Sequence, residues 1–542
     1  MSIVTFNKKK LLNELKSNEK EVIEAIRNMG LSVEEINDDE ISIEVLPNRP
    51  DLLSFQGLCR ALKAFLKIEY KSEYKCFDSE YKVIVDKNVS KVRPYTACAI
   101  VKNVSFDDEN IRSIIQLQEK LHLTYGRKRK RMAIGIYPME KIKFPIYYKA
   151  DIPEKIRFVP LGSKEEMNGK EILKYHPTGK EYAHLLEGKD LFPYFIDSNN
   201  NILSMPPIIN SELTGKITTE TKDVFIECSG FSLDVLEKGL NIIVTSLIDM
   251  GGKAYSIEVI YPNFKIKTPD LNYEKMKIDF EYITRYLGKR LSRKEIEEAL
   301  RKMNLILKDS YVLIPPYRTD IIHPIDIVED VAIGHGYDNF TLERSNFYTI
   351  GEEDKIERLK RKIREILIGY ELIEVKNLHL TSEMYEKEKM KINEKLIKLK
   401  NSVNEEYNSL RPSLFSSLLR TLEINKHNEY PQNIFEIGIV FKLDGNTIIE
   451  QEHLGVALCN LKSDYTRIRQ ILEGLIRELD LNVSFEEKEY DFLIKGRSAK
   501  VLINNKESGY IGEVHPEILE NIGLEMPVSI FEINIENLLT KE

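Results

Sequence analysis

Residues 317–338, YRTDIIHPIDIVEDVAIGHGYD, concentrate acidic side chains at the start of a predicted helix. A helix that begins near Pro324 projects residues at positions i, i+3 and i+4 to the same side. The acids with this spacing, and one more a turn upstream, form an acidic cluster of Asp326, Glu329, Asp330 and Asp320. Because like charges at this spacing repel each other, the sequence predicts a cation or an arginine beside them.

Two explanations of the acidic cluster remain open from these residues alone. Carboxylate oxygens and water are the ligands that Mg²⁺ prefers, which indicates a metal site. Acidic residues are also common in the first turn of a helix, where they offset the positive end of the helix dipole. The first explanation predicts a function and the second predicts only a stable helix.

An internal repeat bears on this choice. Residues 20–31, KEVIEAIRNMGL, align without gaps with residues 294–305, KEIEEALRKMNL. Further along, the first copy has Arg49 and Asp51 where the second has Arg318 and Asp320. The pattern predicts two copies of one small α+β unit.

The acids of the second copy are not shared by the first. The first copy has Gly57, Arg60 and Ala61 where the second has Asp326, Glu329 and Asp330. A scaffold that required acids for capping would require them in both copies. The comparison therefore favours a specific role for the acidic cluster over helix capping.

The composition is that of a large multidomain protein without membrane spans. The chain has 542 residues, 42% hydrophobic content and a formal net charge of −8. Its five cysteines show no CxxC spacing, which argues against a zinc site and a disulfide framework and indicates a reducing cytoplasm. No apolar run approaches the ~20 residues that span a bilayer, and no signal peptide is evident. We expect a cytoplasmic protein that does not bind membranes.

The region between the repeats reads as short strands separated by turns, which predicts a mixed domain with a substantial sheet. It contains a basic run of five consecutive cations, Arg127, Lys128, Arg129, Lys130 and Arg131. Such a run is typical of a solvated loop, or of a contact with nucleic-acid phosphates. The segment SMPPIIN, residues 204–210, cannot be helical because of its two prolines. It suits a pocket wall, although a turn that ends a strand would look similar.

The last part of the chain, from about residue 352, alternates helices and strands in a pattern that predicts an antiparallel sheet flanked by helices. No P-loop, GxGxxG, HExxH or GxSxG motif is evident.

Five motifs together resemble the β subunit of phenylalanyl-tRNA synthetase of the archaeal and eukaryotic type, over essentially the full length. They are LPNRPDLLSFQGLCRAL, SMPPIINSELTGKIT with FIECSG and IDMGGKAYSIEVIYP, PPYRTDIIHPIDIVEDVAIGHGYD, NEEYNSLRPSLFSSLL with IFEIGIVF, and GEVHPEIL. The resemblance implies an α₂β₂ heterotetramer in which the α subunit carries the ATP, phenylalanine and adenylate chemistry. It also implies tRNA(Phe) as a partner, with most tRNA binding by α and a possible contact at the basic run.

The resemblance predicts a multidomain α+β fold with four domains. These are an N-terminal structural domain (1–85), a mixed α/β editing domain (86–265), a domain with the acidic Mg²⁺ site (266–345) and an inactive class II synthetase-like domain (346–542). The chain shows no GxGxDR-like segment after IFEIGIVF, as expected for a catalytic module that has lost its active site. Three residues of that module are expected to be mostly structural: Arg411, Glu436 and His515.

Two sites follow from the resemblance. The acidic cluster resembles the family's magnesium site at the border with α. The middle domain resembles the editing domain that hydrolyses tyrosine from mischarged tRNA(Phe), with predicted pocket residues Phe195, Ser204, Asn210, Glu227 and Ser229. Editing is needed because a phenylalanine pocket rejects an added hydroxyl only ~10²-fold, whereas a site that hydrogen-bonds the hydroxyl discriminates by ~10⁴ or more.

Glu227 is the predicted acceptor for the tyrosine hydroxyl, and Phe195 is a candidate cover for the ring. No nucleophile is assigned to Cys228. The alternative is a purely structural β subunit in which the editing site has degenerated.

Overall fold

The structure is a computed structural model that describes residues 2–342, 344 and 349–539. The chain divides into two units, residues 1–344 and 345–542, and each is described by itself. Both units combine helices with sheets. The predicted class, a multidomain α+β fold with several sheets, is confirmed.

The first copy of the repeat folds as a three-stranded sheet with three helices. The elements are β1 (Ser2–Asn7), α1 (Lys8–Leu15), α2 (Glu19–Asn28), β2 (Ser32–Ile36), β3 (Glu40–Val45) and α3 (Phe55–Phe65). The strand order is β1-β3-β2, and both pairs are antiparallel. Alternate residues of β3 are buried because successive side chains point to opposite faces of a sheet.

The middle of the first unit is built on a large mixed sheet. Its strands in chain order are β4 (Cys76–Phe77), β5 (Lys82–Val85), β6 (Tyr95–Lys102), β7 (Met132–Pro138), β8 (Ile146–Asp151), β11 (Phe192–Ile196), β12 (Ile202–Met205), β13 (Ile209–Asn210), β14 (Val224–Gly230), β15 (Lys253–Ile260) and β16 (Lys265–Thr268). A separate hairpin is formed by β9 (Arg157–Phe158) and β10 (Met167–Asn168), and the helices are α4 (Asp108–Leu123), α5 (Gly169–Tyr175), α6 (Pro177–Tyr182) and α7 (Leu233–Asp249).

The sheet order is β13-β12-β11-β8-β5-β15-β6-β14-β7, and β4 and β16 also pair with β15. The sheet therefore begins before residue 86 and ends after residue 265, beyond both predicted boundaries of the middle domain. The predicted boundary at residue 85 leaves β4 and β5 on the side of the N-terminal domain. Their pairing partner, β15, lies far away in the chain, so only the folded structure reveals where they belong.

The second copy of the repeat has the same elements as the first in a smaller sheet. They are β17 (Glu274–Lys277), α8 (Phe280–Leu287), α9 (Arg293–Lys302), β18 (Ile306–Lys308), β19 (Tyr311–Ile314) and α10 (Pro324–His335). The strand order is β17-β19-β18, with β19 in the centre as β3 is in the first copy. α9 begins with a capping box, in which Ser292 and Glu295 cap each other's backbone N–H groups.

The two copies share an arginine-aspartate pair and pack against each other. Arg49 donates from Nε and Nη2 to the two oxygens of Asp51, at 2.9 and 2.8 Å. Arg318 does the same to Asp320, at 2.8 and 2.7 Å. Between the copies, the Arg60 guanidinium lies 3.7 Å from the centre of the Tyr317 ring. The alignment of the two segments is thus matched by equivalent local structure.

The second unit contains a seven-stranded sheet of order β20-β23-β24-β28-β27-β26-β25 and a short pair, β21 with β22. The elements are α11 (Lys355–Gly369), β20 (Ile373–Glu374), β21 (Leu380–Thr381), β22 (Ser409–Leu410), α12 (Phe415–Asn425), β23 (Gln432–Asp444), β24 (Thr447–Cys459), α13 (Tyr465–Glu478), β25 (Val483–Glu487), β26 (Leu493–Ile503), β27 (Lys506–Val514), α14 (Pro516–Asn521) and β28 (Val528–Asn534).

The seven-stranded sheet is antiparallel except for the pairing of β20 with β23, and it carries an apolar core on each face. Phe435 packs on the side of α11 and α13, while its neighbour Ile434 packs on the side of α12 and α14. The predicted antiparallel sheet with flanking helices is therefore present.

Candidate functional site

A cavity of about 490 Å³ lies in the first unit, beside the edge strand β7. α4, β7, β14 and the segment around Pro206 and Pro207 form its walls. Its lining includes the apolar residues Pro206, Pro207 and Ile208, with Glu227 among its polar residues. Ile134 and Ile136 border it from the edge strand, although their side chains pack in the core with α7. The SMPPIIN segment is thus part of a pocket wall, and its two prolines also lie in the turn between β12 and β13, so both interpretations hold.

Three of the five predicted pocket residues line this cavity: Ser204, Asn210 and Glu227. β12 and β13 bring the first two together, because Ser204 pairs with Asn210 in that hairpin. Glu227 comes from β14, on a different part of the sheet. Residues of three different strands therefore line the same cavity.

Phe195 and Ser229 do not line the cavity. Phe195 is fully buried and stacks on Tyr148, with 4.2 Å between ring centres and 11° between ring planes. Ser229 accepts a hydrogen bond from Arg93 Nε at 3.2 Å, and its carbonyl accepts one from Arg93 Nη2 at 2.6 Å. Both residues are part of the interior of the sheet domain, so their assignment to the pocket is not supported by this geometry.

The polar end of the cavity holds oxygens that are buried without partners. Glu227 is 2% exposed, and its Oε1 accepts from the Tyr137 hydroxyl at 3.2 Å. Within the part of the chain that the structure describes, neither Glu227 Oε2 nor Ser204 Oγ has a hydrogen-bond partner. A buried polar atom without a partner costs free energy. A ligand whose polar group pairs with these two atoms would therefore gain binding free energy.

Burial also changes the protonation of Glu227. Removal from water raises the pKa of its carboxyl to about 8, although the Tyr137 hydroxyl and the charge of Arg93 favour the ionised form. The carboxyl is therefore largely protonated at neutral pH. In this state it can donate a hydrogen bond as well as accept one.

Tyr137 and Gly135 were not among the predicted site residues. In the register of β14 with β7, Gly135 lies opposite Glu227 and Tyr137 lies opposite Phe225. A Cβ atom at Gly135 would overlap the Tyr137 hydroxyl and lie 2.6 Å from Glu227 Oε1. The sequence identifies β7 as a strand, but only its register against β14 reveals this proximity.

α4 contributes a buried polar group, His122, to the lining of the cavity. His122 Nε2 accepts a hydrogen bond from the Ile134 backbone N–H at 2.9 Å, so the ring proton of its neutral form is on Nδ1. Nδ1 lies 3.4 Å from Glu119 Oε1. Burial lowers the pKa of His122 and keeps the ring neutral.

The basic run divides into exposed and engaged cations. Arg129 Nη1 donates to the Ile208 carbonyl at 2.6 Å, and its Nη2 lies 3.3 Å from Glu119, so this side chain ties the run to the cavity wall. Its neighbours Arg127, Lys128 and Lys130 are exposed. Arg131 lies over the Tyr125 ring at 5.1 Å. Arg129 thus anchors the loop, whereas Arg127, Lys128 and Lys130 face solvent.

Cys228 lies on the opposite face of β14 from Glu227, in the apolar core with α7. It is fully buried, and burial raises the pKa of its thiol well above the usual range. Since a thiol must ionise to attack, Cys228 is not a nucleophile for a ligand in the cavity. The prediction that assigned it no such role agrees with this placement.

Arg318 binds two of the four acids of the acidic cluster. Besides its contacts with Asp320, its Nη2 lies 2.7 Å from Asp330 Oδ2, and both carboxylates are largely buried. Burial by itself would raise the pKa of Asp320, but Arg318, and then Arg49, lower it to about 2. Burial raises the pKa of Asp330 despite the Arg318 charge. The cation that the sequence predicted beside the acids is an arginine.

The other two acids lie toward the surface. Asp326 Oδ2 accepts the backbone N–H groups of Ile322 and His323, at 2.8 and 2.7 Å, and so caps α10. Glu329 is exposed. Among the described residues, no group of three or more His, Cys, Asp or Glu side chains is arranged to hold a metal ion. Magnesium binding by the four carboxylates stays a prediction.

In the second unit, Arg411 and Glu436 form a fully buried ion pair with Nη1 and Oε1 2.8 Å apart. Glu436 also accepts from the Asn377 side chain at 2.8 Å. His515 Nδ1 accepts the backbone N–H of Glu517 at 3.3 Å and caps α14. All three residues have structural contacts, in agreement with the expected structural role.

Two family profiles match the chain. The profile described as "Phenylalanyl tRNA synthetase beta chain CLM domain" matches residues 345–535, and the one described as "tRNA synthetase B5 domain" matches residues 276–337.

Curated relatives match along nearly the whole chain. Proteins named "Phenylalanine--tRNA ligase beta subunit" from Thermococcus sibiricus, Pyrococcus furiosus and Archaeoglobus fulgidus are 40%, 41% and 40% identical to it. The alignments cover 90%, 91% and 94% of this chain and 88%, 90% and 93% of the relatives. The chain belongs to the phenylalanine–tRNA ligase β subunit family.

A solved structure agrees with this membership in the β subunit family. The crystal structure of an N-terminal fragment of the phenylalanyl-tRNA synthetase β subunit from Pyrococcus horikoshii is 39% identical and superposes with a TM-score of 0.59. The aligned region covers 62% of this chain and 99% of the fragment. No helix within residues 2–342, 344 and 349–539 combines the length and the apolar character needed to cross a membrane.

Proposed function

We propose that this chain is the β subunit of a cytoplasmic phenylalanine–tRNA ligase, assembles with an α subunit as an α₂β₂ heterotetramer, and removes tyrosine from mischarged tRNA(Phe). Family membership supports the assembly, because the curated relatives are named as one subunit of a ligase. In this proposal the α subunit binds ATP and phenylalanine and charges the tRNA. The second unit, with its buried Arg411–Glu436 pair, serves assembly rather than catalysis.

The observation that carries the editing proposal is the pair of buried oxygens without partners, Glu227 Oε2 and Ser204 Oγ, within the described residues. The apolar residues Pro206, Pro207 and Ile208 accept an aromatic ring, and these oxygens satisfy its hydroxyl. Phenylalanine would occupy the same cavity but leave both oxygens unpaired. The free energy lost in this way disfavours its binding. The cavity therefore selects tyrosine, the amino acid that the charging site rejects least well.

The reaction in the cavity is hydrolysis of the ester that joins tyrosine to the tRNA. A water molecule attacks the ester carbonyl, the bond from that carbon to the ribose oxygen breaks, and free tyrosine and uncharged tRNA leave. Cavity residues bind the side chain and hold the ester in place for a positioned water. Glu227 recognises the hydroxyl and Asn210 borders it.

The exposed cations of the basic run are the proposed tRNA contact of this chain. Arg127, Lys128 and Lys130 adjoin Arg129, which borders the cavity, so they lie close to where the charged end of a tRNA must enter. Exposed cations bind phosphates by releasing counterions. Arg129 is not included in this tRNA contact, because its side chain anchors the loop to the cavity wall.

The test is to co-express this chain with its α subunit and measure deacylation of tRNA(Phe) charged with tyrosine. We expect the parent to deacylate it far faster than the spontaneous rate and E227A to lose most of this activity. E187Q is the control, since Glu187 is exposed and lies outside the proposed sites. A parent complex that charges tRNA but deacylates no faster than spontaneous hydrolysis would show a purely structural β subunit.

A further inference from the structure

We infer that Tyr137 is a positioning residue for hydroxyl recognition: its phenol holds Glu227 with Oε1 turned into the sheet and Oε2 facing the cavity, and Gly135 leaves the space that this requires. The inference rests on the proposed editing function and adds to it the residues that set its preference for tyrosine.

The strand register explains how the phenol reaches the carboxyl. Gly135, Tyr137, Phe225 and Glu227 share one face of the β7–β14 pair, because residues two apart in a strand point the same way. Gly135 has no side chain opposite Glu227, so the Tyr137 ring extends over that position. Any Cβ there would overlap the phenol, so glycine is a requirement of this arrangement rather than of the local backbone.

The phenol is itself fixed in place. Tyr137 is fully buried and its ring lies on Phe225 at 5.8 Å between ring centres. Its hydroxyl oxygen lies 3.2 Å from Glu227 Oε1 and 3.4 Å from Asn210 Oδ1. A hydroxyl has one proton to donate, and the shorter contact assigns it to Glu227.

The two carboxyl oxygens of Glu227 have different roles. Oε1 is held by Tyr137, and Oε2 has no partner among the described residues. Tyr137 does not line the cavity, whereas Glu227 does. The phenol thus acts through Glu227 and not on the ligand. Without it, the carboxyl would turn freely and lose the orientation in which Oε2 meets the ligand hydroxyl.

Other charged or titratable groups also act on Glu227. They are Arg93 ahead of β6, Cys98 on β6, Tyr148 on β8 and Cys228 on β14. None of them donates a hydrogen bond to its carboxyl in the described structure, where Tyr137 is the donor found. Removal of the Tyr137 hydroxyl therefore has an effect that the others do not replace.

The test compares Y137F with the parent in the complex with α. We measure rates of deacylation for tRNA(Phe) charged with tyrosine and with phenylalanine. We expect the ratio of the two rates to fall about tenfold, the effect of one lost hydrogen bond that positions a buried group. The ring remains, so the variant should fold, with a melting temperature lowered only by the loss of one buried hydrogen bond.

A second readout separates positioning from packing. Burial raises the pKa of Glu227, and the Tyr137 hydrogen bond partly lowers it again. In Y137F the pH midpoint of tyrosyl-tRNA deacylation should therefore move to higher pH. The control is Y261F, because Tyr261 is a buried phenol of the same core whose hydroxyl donates to the Thr96 carbonyl at 2.7 Å.

G135A provides the same test from the other side of the contact, because the added methyl group displaces the phenol while the hydroxyl is kept. We expect a loss of preference at least as large as in Y137F. An unchanged rate ratio and pH midpoint in whichever of the two variants folds would overturn the inference. If E227A in the same assay abolishes tyrosine removal, the editing function stands even when the role of Tyr137 fails.

Discussion

Asp330 gives Arg318 a second carboxylate, with Oδ2 2.7 Å from Arg318 Nη2 in addition to the paired contacts with Asp320. Ala61 occupies the matching position of the first copy, where Arg49 binds Asp51. The acidic cluster is thus partly an internal ion network of the second copy, built on a pair that both copies share.

R318A should destabilise the first unit strongly. The change leaves Asp320 and Asp330 without the arginine, and breaking a buried ion network of this kind costs about 3–5 kcal/mol. The free energy of unfolding from a urea titration measures it. R290A is the control, because the side chain of Arg290 is 85% exposed and lies 3.9 Å from that of Glu281, which is 73% exposed. Equal stability of the two variants would show that the network contributes little.

E227Q should stabilise the protein increasingly as the pH rises. The folded pKa of Glu227 is about 8, above that of an unfolded glutamate near ~4.5, so the folded state keeps a proton that the unfolded state has lost. Stability of the parent therefore falls by up to ~1.4 kcal/mol per pH unit between these values, and glutamine removes this loss.

The measurement is the melting temperature of parent and E227Q from pH 5 to pH 8. We expect the two to differ more at pH 8 than at pH 5. E329Q makes the same chemical change at an exposed site and should show no such trend. A constant difference between E227Q and the parent across this range would contradict the protonated state of Glu227.

Alanine at Arg127, Lys128 and Lys130 should weaken tRNA binding and leave the fold unchanged, because these side chains are exposed. The slope of log Kd against log salt should decrease by about one for each lost phosphate contact. Binding of tRNA(Phe) to the complex with α, measured at several salt concentrations, gives this slope. R129A should instead disturb the cavity wall and reduce editing, since its guanidinium holds the Ile208 carbonyl. A salt slope identical to that of the parent would exclude this loop as a tRNA contact.

G438A should destabilise the second unit by about 1–3 kcal/mol. A Cβ at this position would overlap Arg411 Nη2 and lie 3.1 Å from Glu436 Oε1, so the buried ion pair would have to move. The free energy of unfolding measures the change. The same substitution at Gly369, the last residue of α11, meets no atom within 4 Å and should be neutral or slightly stabilising. Equal effects at the two positions would mean that the Arg411–Glu436 pair tolerates displacement.

Much of the fold could be predicted from local pattern. The repeat at residues 20–31 and 294–305 indicated two similar α+β units because helical period and capping are local properties. The Pro206–Pro207 segment predicts a rigid pocket wall or a turn that ends a strand for the same reason, and the structure shows both. The predicted boundary of the middle domain differs from the edge of the observed sheet, because β4 and β5 pair with β15. Local sequence pattern does not identify this partner.

The candidate site was predicted in part. Ser204, Asn210 and Glu227 meet at the cavity, whereas Phe195 stacks on Tyr148 and Ser229 binds Arg93. Glu227 and Ser229 lie two apart on the same face of β14, so alternation along the strand assigns both to one side. It does not reveal where along that face the cavity ends and the core begins.

The sequence by itself determined the family, the repeat, the order of helices and strands, and the types of side chain available for a polar pocket and an acidic cluster. Only the tertiary structure decided which of those side chains meet. The register of β14 against β7 places Tyr137 on Glu227 over Gly135, and the packing of the second copy turns Asp330 inward to Arg318. The contact of Tyr137 with Glu227 depends on strand pairing, where a shift of one residue would turn each side chain to the opposite face. The contact of Asp330 with Arg318 depends on how α10 packs against the segment that carries Arg318.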